Sequence, residues 1–303
     1  MSPASRGRSS TVSSPPSERV RLAIPSKGRI AAPTRELLEK SGLHVGEGND
    51  RRLVAGTSDP HVEVIFARPA DIPEYVANGI ADLGITGQDM VRERGVRVEE
   101  ILDLRFGTAR LVLAVPEDSR LRSAGDLRGA RIATEFPRIT REFFDGKGVE
   151  VRVVQVGGAC EATPHLGIAD AIVDLTASGD TLRTHHLRVV EEVLPTSTYL
   201  IGNPGSRQAK GEKMDEVALA LESVVRARGQ CYLMMNVSRS SLGRVRKVLP
   251  GLSGPTVMDV ASDEDLVAVH AVVEEDRIYA LITRLKREGA RDILVMPIDR
   301  MVR

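Results

Sequence analysis

The 303-residue chain has no tryptophan, and its five phenylalanines and four tyrosines bring aromatic content to only 3%. Few planar surfaces are therefore available on which bases could stack. Net charge is also absent, because 42 Lys and Arg are matched by 42 Asp and Glu. Without a global field, neither nucleic acid nor an anionic membrane is an expected partner, and any anionic ligand must be held by a local constellation. The two cysteines, Cys160 and Cys231, show no CxxC and no metal-ligand spacing. That argues against a disulfide or zinc framework and suits a reducing cytoplasm. No apolar run approaches the ~20 residues that cross a bilayer. Neither GxxxxGK[ST] nor GxGxxG occurs, which removes the commonest nucleotide fingerprints. Residues 1–18 are rich in Ser, Pro and Arg, lack the apolar core of a secretory signal, and are expected to form a disordered tail.

What is present is a repeating α/β pattern. The length implies two or three domains. Residues 20–24 read as a strand, 25–28 (PSKG) as a turn, and 33–41 as a helix stopped by Gly42. Lys27 and Arg29 then stand at a strand's carboxyl end, the ligand side of a parallel sheet, or else form a basic surface turn. Val62-Glu-Val64 precedes a GIAD at Gly79, and Val149-Glu-Val151 precedes a second GIAD at Gly167, at nearly equal spacing. Each copy reads as strand, helix, and a strand ending in a polar glycine turn, 81–89 (ADLGITGQD) and 169–180 (ADAIVDLTASGD). Two such halves facing one another make a cleft with the turns at its walls.

Residues 107–119 read as a strand crossing into the second half, and 198–201 as the strand returning. This divides the chain into a first lobe, 19–107 plus 196–210, and a second, 108–195. A polar helical segment is expected over 181–193. Asn203-Pro-Gly-Ser206 reads as a turn-rich linker, followed by a helix over 214–228. Beyond it, residues up to 303 (module 211–303) give β-α-β-β-α-β, the ferredoxin-like order, suited to a regulatory or oligomerising role.

The richest chemistry lies in residues 169–182. A buried strand turning through Ser-Gly into a helix start points the amides and hydroxyls of Ala177, Ser178, Gly179 and Thr181 at one small volume, which suits a phosphate; a plain strand–turn–helix with Asp180 as N-cap is the alternative. Asp174 faces the same volume, and Glu161 in the GGACE segment lies beside it. Together they could accept hydrogen bonds from two sugar hydroxyls or approach a magnesium ion. Asp180 fits only if its charge turns outward. In the first half, Arg68 could take a second anion, while Asp71 and Asp89 read equally as helix caps. His185 and His186 read as a solvated helix face. Cys160 has no nearby His, and nucleophilic catalysis has little support.

Assembled in order, PSKGR at Pro25, RPADI at Arg68, ADLGITGQDM at Ala81, ATEFPRIT at Ala133, the Glu161 segment, ADAIVDLTASGDTL, YLMMN at Tyr232 and PGL..PTV at Pro250 make the chain resemble long-form ATP phosphoribosyltransferases. The resemblance implies an α/β fold of two lobes like type II periplasmic binding proteins around a cleft, plus a ferredoxin-like regulatory domain. It implies cytoplasmic transfer of phosphoribosyl from phosphoribosyl pyrophosphate to ATP, the first step of histidine biosynthesis, with Mg2+ and a homo-oligomer, usually a hexamer. It gives phosphoribosyl pyrophosphate to Glu161, Asp174, Ala177, Ser178, Gly179, Asp180 and Thr181, and ATP to Lys27, Arg29, Arg68, Pro69, Asp71, Asp89 and Glu135. Lys27, Arg29 and Arg68 would act electrostatically, with no nucleophile, and Asp174 and Glu161 would help hold metal, mainly through substrate phosphates. Effector histidine would lie at Ser238, Leu252, Gly254 and Thr256. Asn236 stands where many relatives carry an acidic residue, and Gly254 where the family has Ser, which points to a weakened effector site. A two-lobed binding or sensor protein is the rival reading, and the absence of an export signal and the phosphate-type loop weigh against it.

Overall fold

A computed structural model of the chain describes residues 19–46, 53–249, 254–261 and 265–302. The expected tail and Leu252 lie outside the described residues. The chain divides into two compact units, 1–218 and 219–303.

In the first unit the strands are β1 (Val20–Pro25), β2 (Val54–Gly56), β3 (Val62–Ala67), β4 (Leu83–Gly87), β5 (Glu99–Asp103), β6 (Ala109–Pro116), β7 (Arg131–Thr134), β8 (Arg152–Gln155), β9 (Ala171–Thr176), β10 (Leu187–Thr196) and β11 (Thr198–Gly202). The helices are α1 (Ala31–Ser41), α2 (Ile72–Ala77), α3 (Gln88–Arg94), α4 (Pro137–Gly146), α5 (Asp180–Thr184) and α6 (Pro204–Ala227), whose last residues belong to the second unit. One sheet runs β2-β3-β1-β4-β11-β5 and the other β10-β6-β9-β7-β8. Starting at β3 and at β8, both follow one scheme: second strand, first, third, the strand that has just crossed from the other lobe, fourth. The crossing strands β11 and β6 are antiparallel to both neighbours, while β3, β1 and β4 in one sheet and β8, β7 and β9 in the other are parallel, and β2 is an added antiparallel edge. The sequence repeat is thus a repeat of topology.

Its physical basis is the GIAD turn. Gly79 and Gly167 adopt φ of +69° and +68°, a left-handed conformation that glycine takes without strain. Three residues on, Asp82 Oδ2 accepts the backbone N–H of Arg21, and Asp170 Oδ2 that of Arg131, both at 2.8 Å. The same arginines return their guanidiniums to the carbonyls of Gly79 and Gly167, both at 2.7 Å. Each clamp pins the third strand of its lobe, β4 or β9, beside the first. The copies differ in charge pairing. Asp170 pairs with Arg131 at 2.9 Å near the surface, whereas the buried Asp82 takes Lys210 Nζ at 2.9 Å.

Three expectations are corrected. The segment 181–193 is not one helix: α5 ends at Thr184, His186 turns the chain at φ +49°, and β10 pairs antiparallel with β6. Its charged residues disguise β-branched Val189, Val190 and Val193 and the buried Leu187, Leu194 and Thr196. The helix of the second repeat shrinks to a single 3-10 turn, Cys160–Ala162, behind the Gly157-Gly158 pair. Asn203-Pro-Gly-Ser206 is a helix start rather than a linker. Asn203 Oδ1 accepts the Ser206 N–H at 2.7 Å, and Pro204 occupies the first helical position. Helix α6 kinks at Lys210, the residue whose ammonium reaches Asp82 and the Arg19 carbonyl.

The second unit adds β12 (Gln230–Ser238), α7 (Arg239–Val248), β13 (Thr256–Asp259), β14 (Leu266–Glu274), α8 (Ile278–Arg287) and β15 (Ala290–Pro297). The antiparallel order β13-β14-β12-β15 is the ferredoxin-like arrangement. Strict alternation on β12 turns Cys231, Leu233, Met235 and Val237 onto a core with Val245, Leu281 and Leu285.

Burial raises the Asp82 carboxyl, but hydrogen bonds from Ser206, Arg21 and Lys210 overcome it and leave it below its ordinary value; hydrogen bonds donated by the Arg131 guanidinium and backbone N–H lower the Asp170 carboxyl. Carboxyls depressed on folding give stability that is present above their unfolded value near 4 and lost as pH falls through the folded values. Urea unfolding should therefore show stability falling below about pH 4. Asp82→Ala, which strands Lys210, should cost about 3 kcal/mol at pH 7, and Asp170→Ala, at the surface, much less.

Candidate active site

Strand β9 delivers the glycine turn. Ile172 and Val173 are fully buried, and the chain surfaces at Ala177 and Ser178. Thr176 Oγ1 accepts the Gly179 N–H at 2.9 Å, and Gly179, at φ +81°, leads into α5. Among the described residues, the N–H groups of Ala177, Ser178 and Thr181 have no intramolecular acceptor. Asp180 does not occupy them. Its carboxylate accepts the Ser178 hydroxyl at 2.5 Å and pairs with Arg183, and these two partners hold it below its ordinary value. The turn thus presents donors while its own negative charge is tied back along α5.

Beside it, Asp174 is half-buried and accepts the Leu175 N–H at 2.7 Å. Desolvation pushes its carboxyl up to about 6, partly offset by that hydrogen bond and reinforced by the Glu161 and Glu135 charges. Cys160 is buried, donates to the Ala133 carbonyl at 3.2 Å, and has its thiol pushed far up, first by burial and then by the nearby carboxylates. Such a thiol is no nucleophile. His185 is not on a free helix face. Its Nε2 lies 3.9 Å from Glu161 Oε1, and its carbonyl bonds His165 Nε2 at 2.7 Å.

Glu135 follows β7 in the second lobe, as its place in 108–195 predicts, and faces Gly158 with its charge near Asp174. Lys27, Arg29 and Arg68 are exposed at the carboxyl ends of β1 and β3. Among the described residues neither Lys27 nor Arg68 has an ion pair, while Arg29 Nη1 donates to the Thr108 carbonyl in the crossing segment at 3.2 Å. The Pro69 carbonyl accepts the Thr86 hydroxyl at 2.9 Å. Asp71 holds the N-cap position of α2 without capping it and faces Arg94 at 3.7 Å. Asp89 is not at the ligand surface. It is 3% exposed, its carboxyl raised mainly by burial, and Thr196 Oγ1 donates to it at 3.0 Å.

A cleft of about 370 Å³ separates the lobes, walled by Ala70, Glu74, Met90, Glu93 and Arg94 on one side and Glu135, Phe136 and Gln155 on the other. In the second unit, Ser238 bonds Ser241 at 2.9 Å, Gly254 takes φ +88°, and Thr256 is exposed on β13 opposite His270. Asn236 Nδ2 donates to Asp292 at 3.0 Å, so a carboxylate from the neighbouring strand accompanies the amide. Glu93 and Thr196 escaped the sequence reading. The signal for Glu93 was the first turn of α4, FPRI, which offers no cap of its own.

The family described as "HisG: ATP phosphoribosyltransferase" matches residues 68–223, and "HisG, C-terminal domain" matches 227–300. The ATP phosphoribosyltransferase of Methanosarcina barkeri is 53% identical over 288 residues, covering 93% of this chain and 99% of that one. That of Methanopyrus kandleri is 50% identical over 283 residues, covering 93% and 99%. Among solved structures, an ATP phosphoribosyl transferase (HisG:HisZ) complex from Thermotoga maritima is similar at TM-score 0.61 and 30% identity, over 68% of this chain and 98% of that one.

A carboxyl raised on folding opposes folding once ionised: the penalty grows from about pH 4 to about pH 6 and is constant above. Asp174→Asn should therefore be more stable than the parent by about 2 kcal/mol at pH 8. In urea unfolding the gap should close below about pH 4.

Proposed function

Since the chain belongs to the ATP phosphoribosyltransferase family, whose reaction joins ATP to 5-phosphoribosyl 1-pyrophosphate in the first step of histidine biosynthesis, we propose that the β9 turn is where phosphoribosyl pyrophosphate binds. The single observation that carries this is the set of N–H donors on Ala177, Ser178 and Thr181, beside Asp174, that have no intramolecular acceptor among the described residues. The 5′-phosphate sits on those amides and hydroxyls, and Asp174 accepts from the ribose hydroxyls, with Glu161 beside it. ATP enters from the first lobe, its phosphates met by Lys27 and Arg68, which have no competing ion pair among the described residues, and by Arg29. Arg68 to Asp71 form the wall of that side, and Asp89 acts from behind it.

A ring nitrogen of adenine attacks the anomeric carbon as its bond to the pyrophosphate oxygen breaks, through a transition state with oxocarbenium character. Adenine brings its own lone pair, so no residue need act as nucleophile. The chain aligns two highly charged substrates and stabilises the leaving group with Lys27, Arg29 and Arg68. A divalent metal fits the donor set beside the turn, since Asp174, Glu161 and Glu135 offer only hard oxygen atoms. Asp174 and Glu161 would help to hold such an ion mainly through the substrate phosphates. Mg2+ would supply charge neutralisation on the pyrophosphate.

Histidine as effector, near Ser238, Leu252, Gly254 and Thr256, and a homo-hexamer complete the reading. Exposed Val257, Met258, Leu294 and Met296 on the second unit's sheet support self-association. The proposed domain division is 19–107 with 196–210 for the ATP side, 108–195 for the phosphoribosyl side, and 211–303 for regulation.

Mixing the protein with ATP, phosphoribosyl pyrophosphate and Mg2+ should yield phosphoribosyl-ATP and pyrophosphate by chromatography. Asp174→Asn and Thr181→Ala should each slow turnover about a hundredfold without loss of fold; undiminished rates would remove the turn from the mechanism. Titrating histidine into the same assay should inhibit only weakly.

A further inference from the structure

Helix α4 is built without a cap of its own. Its N-cap position is Phe136, whose side chain accepts no hydrogen bond, and Pro137 follows as the first helical residue. The N–H groups of Arg138 and Ile139 therefore need an acceptor from elsewhere. Glu93 provides it across the cleft. Its two carboxylate oxygens lie 3.0 and 3.1 Å from the Arg138 nitrogen, and Oε2 lies 3.1 Å from that of Ile139. Glu93 belongs to α3 of the first lobe, whereas Ile139 and Phe144 of α4 are part of the second lobe's core.

The rest of α3 repeats this division. Met90 packs against the same second-lobe core. Arg138 lays its guanidinium over Gly95, the residue that ends α3, so closely that a Cβ there would come within 1.5 Å of Nη1. At its other end, α3 is fastened to the crossing segment. The Asp89 N–H and carboxylate bond the Thr196 hydroxyl at 3.1 and 3.0 Å, and the Gln88 N–H bonds the Ser197 carbonyl at 3.0 Å. One short helix thus joins the hinge to the opposite lobe.

We propose that Glu93 is a positioning residue that latches the two lobes in the closed arrangement, facing the first-lobe cations toward the β9 turn; this rests on the reading of those two walls as the substrate sides. Opening the cleft withdraws Glu93 and leaves two α4 amides without an intramolecular acceptor. The free enzyme is therefore biased toward closure. When the binding-competent population falls, apparent affinity falls by the same factor, while saturating substrate restores closure.

Glu93→Ala should speed hydrogen exchange in the peptide spanning α4 in the substrate-free protein, read by mass spectrometry. It should also raise KM for both substrates about tenfold with kcat within about twofold. Glu93→Gln, which keeps one acceptor oxygen and the shape, should show a smaller change in both and guards against a misfolded alanine variant. Unchanged exchange, faster exchange with unaltered KM, or a loss confined to kcat would each overturn the latch. Because exchange is read without substrate, the latch can fail while the assignment of the β9 turn stands, and the reverse.

Discussion

The aspartate that ends each GIAD turn accepts a backbone N–H from the first strand of its own lobe, at 2.8 Å in both copies. That bond aligns β4 with β1 and β9 with β7, and the loops at the carboxyl ends of those strands inherit their positions from it. The positive-φ glycine three residues earlier and the arginine that bonds its carbonyl complete the same clamp. A carboxylate accepting a backbone amide is directional and short, so register is set by chemistry as well as by the apolar pattern. In the first lobe the buried Asp82 also draws in Lys210, at the kink of α6.

On these frames the charge is sorted locally in a chain whose total is zero. The first lobe exposes Lys27, Arg29 and Arg68, while the second gathers Glu135, Glu161 and Asp174 around a turn rich in N–H donors. Burial, with the Glu161 and Glu135 charges beside it, raises the half-buried Asp174 carboxyl. An enzyme that keeps a desolvated acceptor ready for sugar hydroxyls gives up stability at the site where it gains recognition. Asp180 avoids the same conflict by turning to Ser178 and Arg183.

Much of this was legible in the sequence because it is local. Gly79, Gly167 and the apolar strands announce the repeat, and alternation on β12 and β14 announces the four-stranded sheet. The segment after Thr184 was misread because alternation in β10 is interrupted by two register shifts, which blur a period of two. Asn203-Pro-Gly-Ser206 carries loop residues that also make a good helix start, and local composition does not separate the two. Asp89, Glu93 and Thr196 depend on contacts between residues about 45 to 107 apart in the chain, and no spacing rule reaches that far. The residues left Asp89 open as a helix cap and only the resemblance gave it to ATP; in the structure it is buried against the Thr196 hydroxyl.

The central claim is that the turn after β9 receives the phosphoribosyl phosphate. A crystal structure of the protein with phosphoribosyl pyrophosphate and Mg2+ tests it most directly. The account predicts the 5′-phosphate within hydrogen-bonding distance of the Ala177, Ser178 and Thr181 amides, with the ribose hydroxyls on Asp174. A 5′-phosphate bound instead at Lys27 and Arg68, with the β9 turn facing solvent, would contradict it.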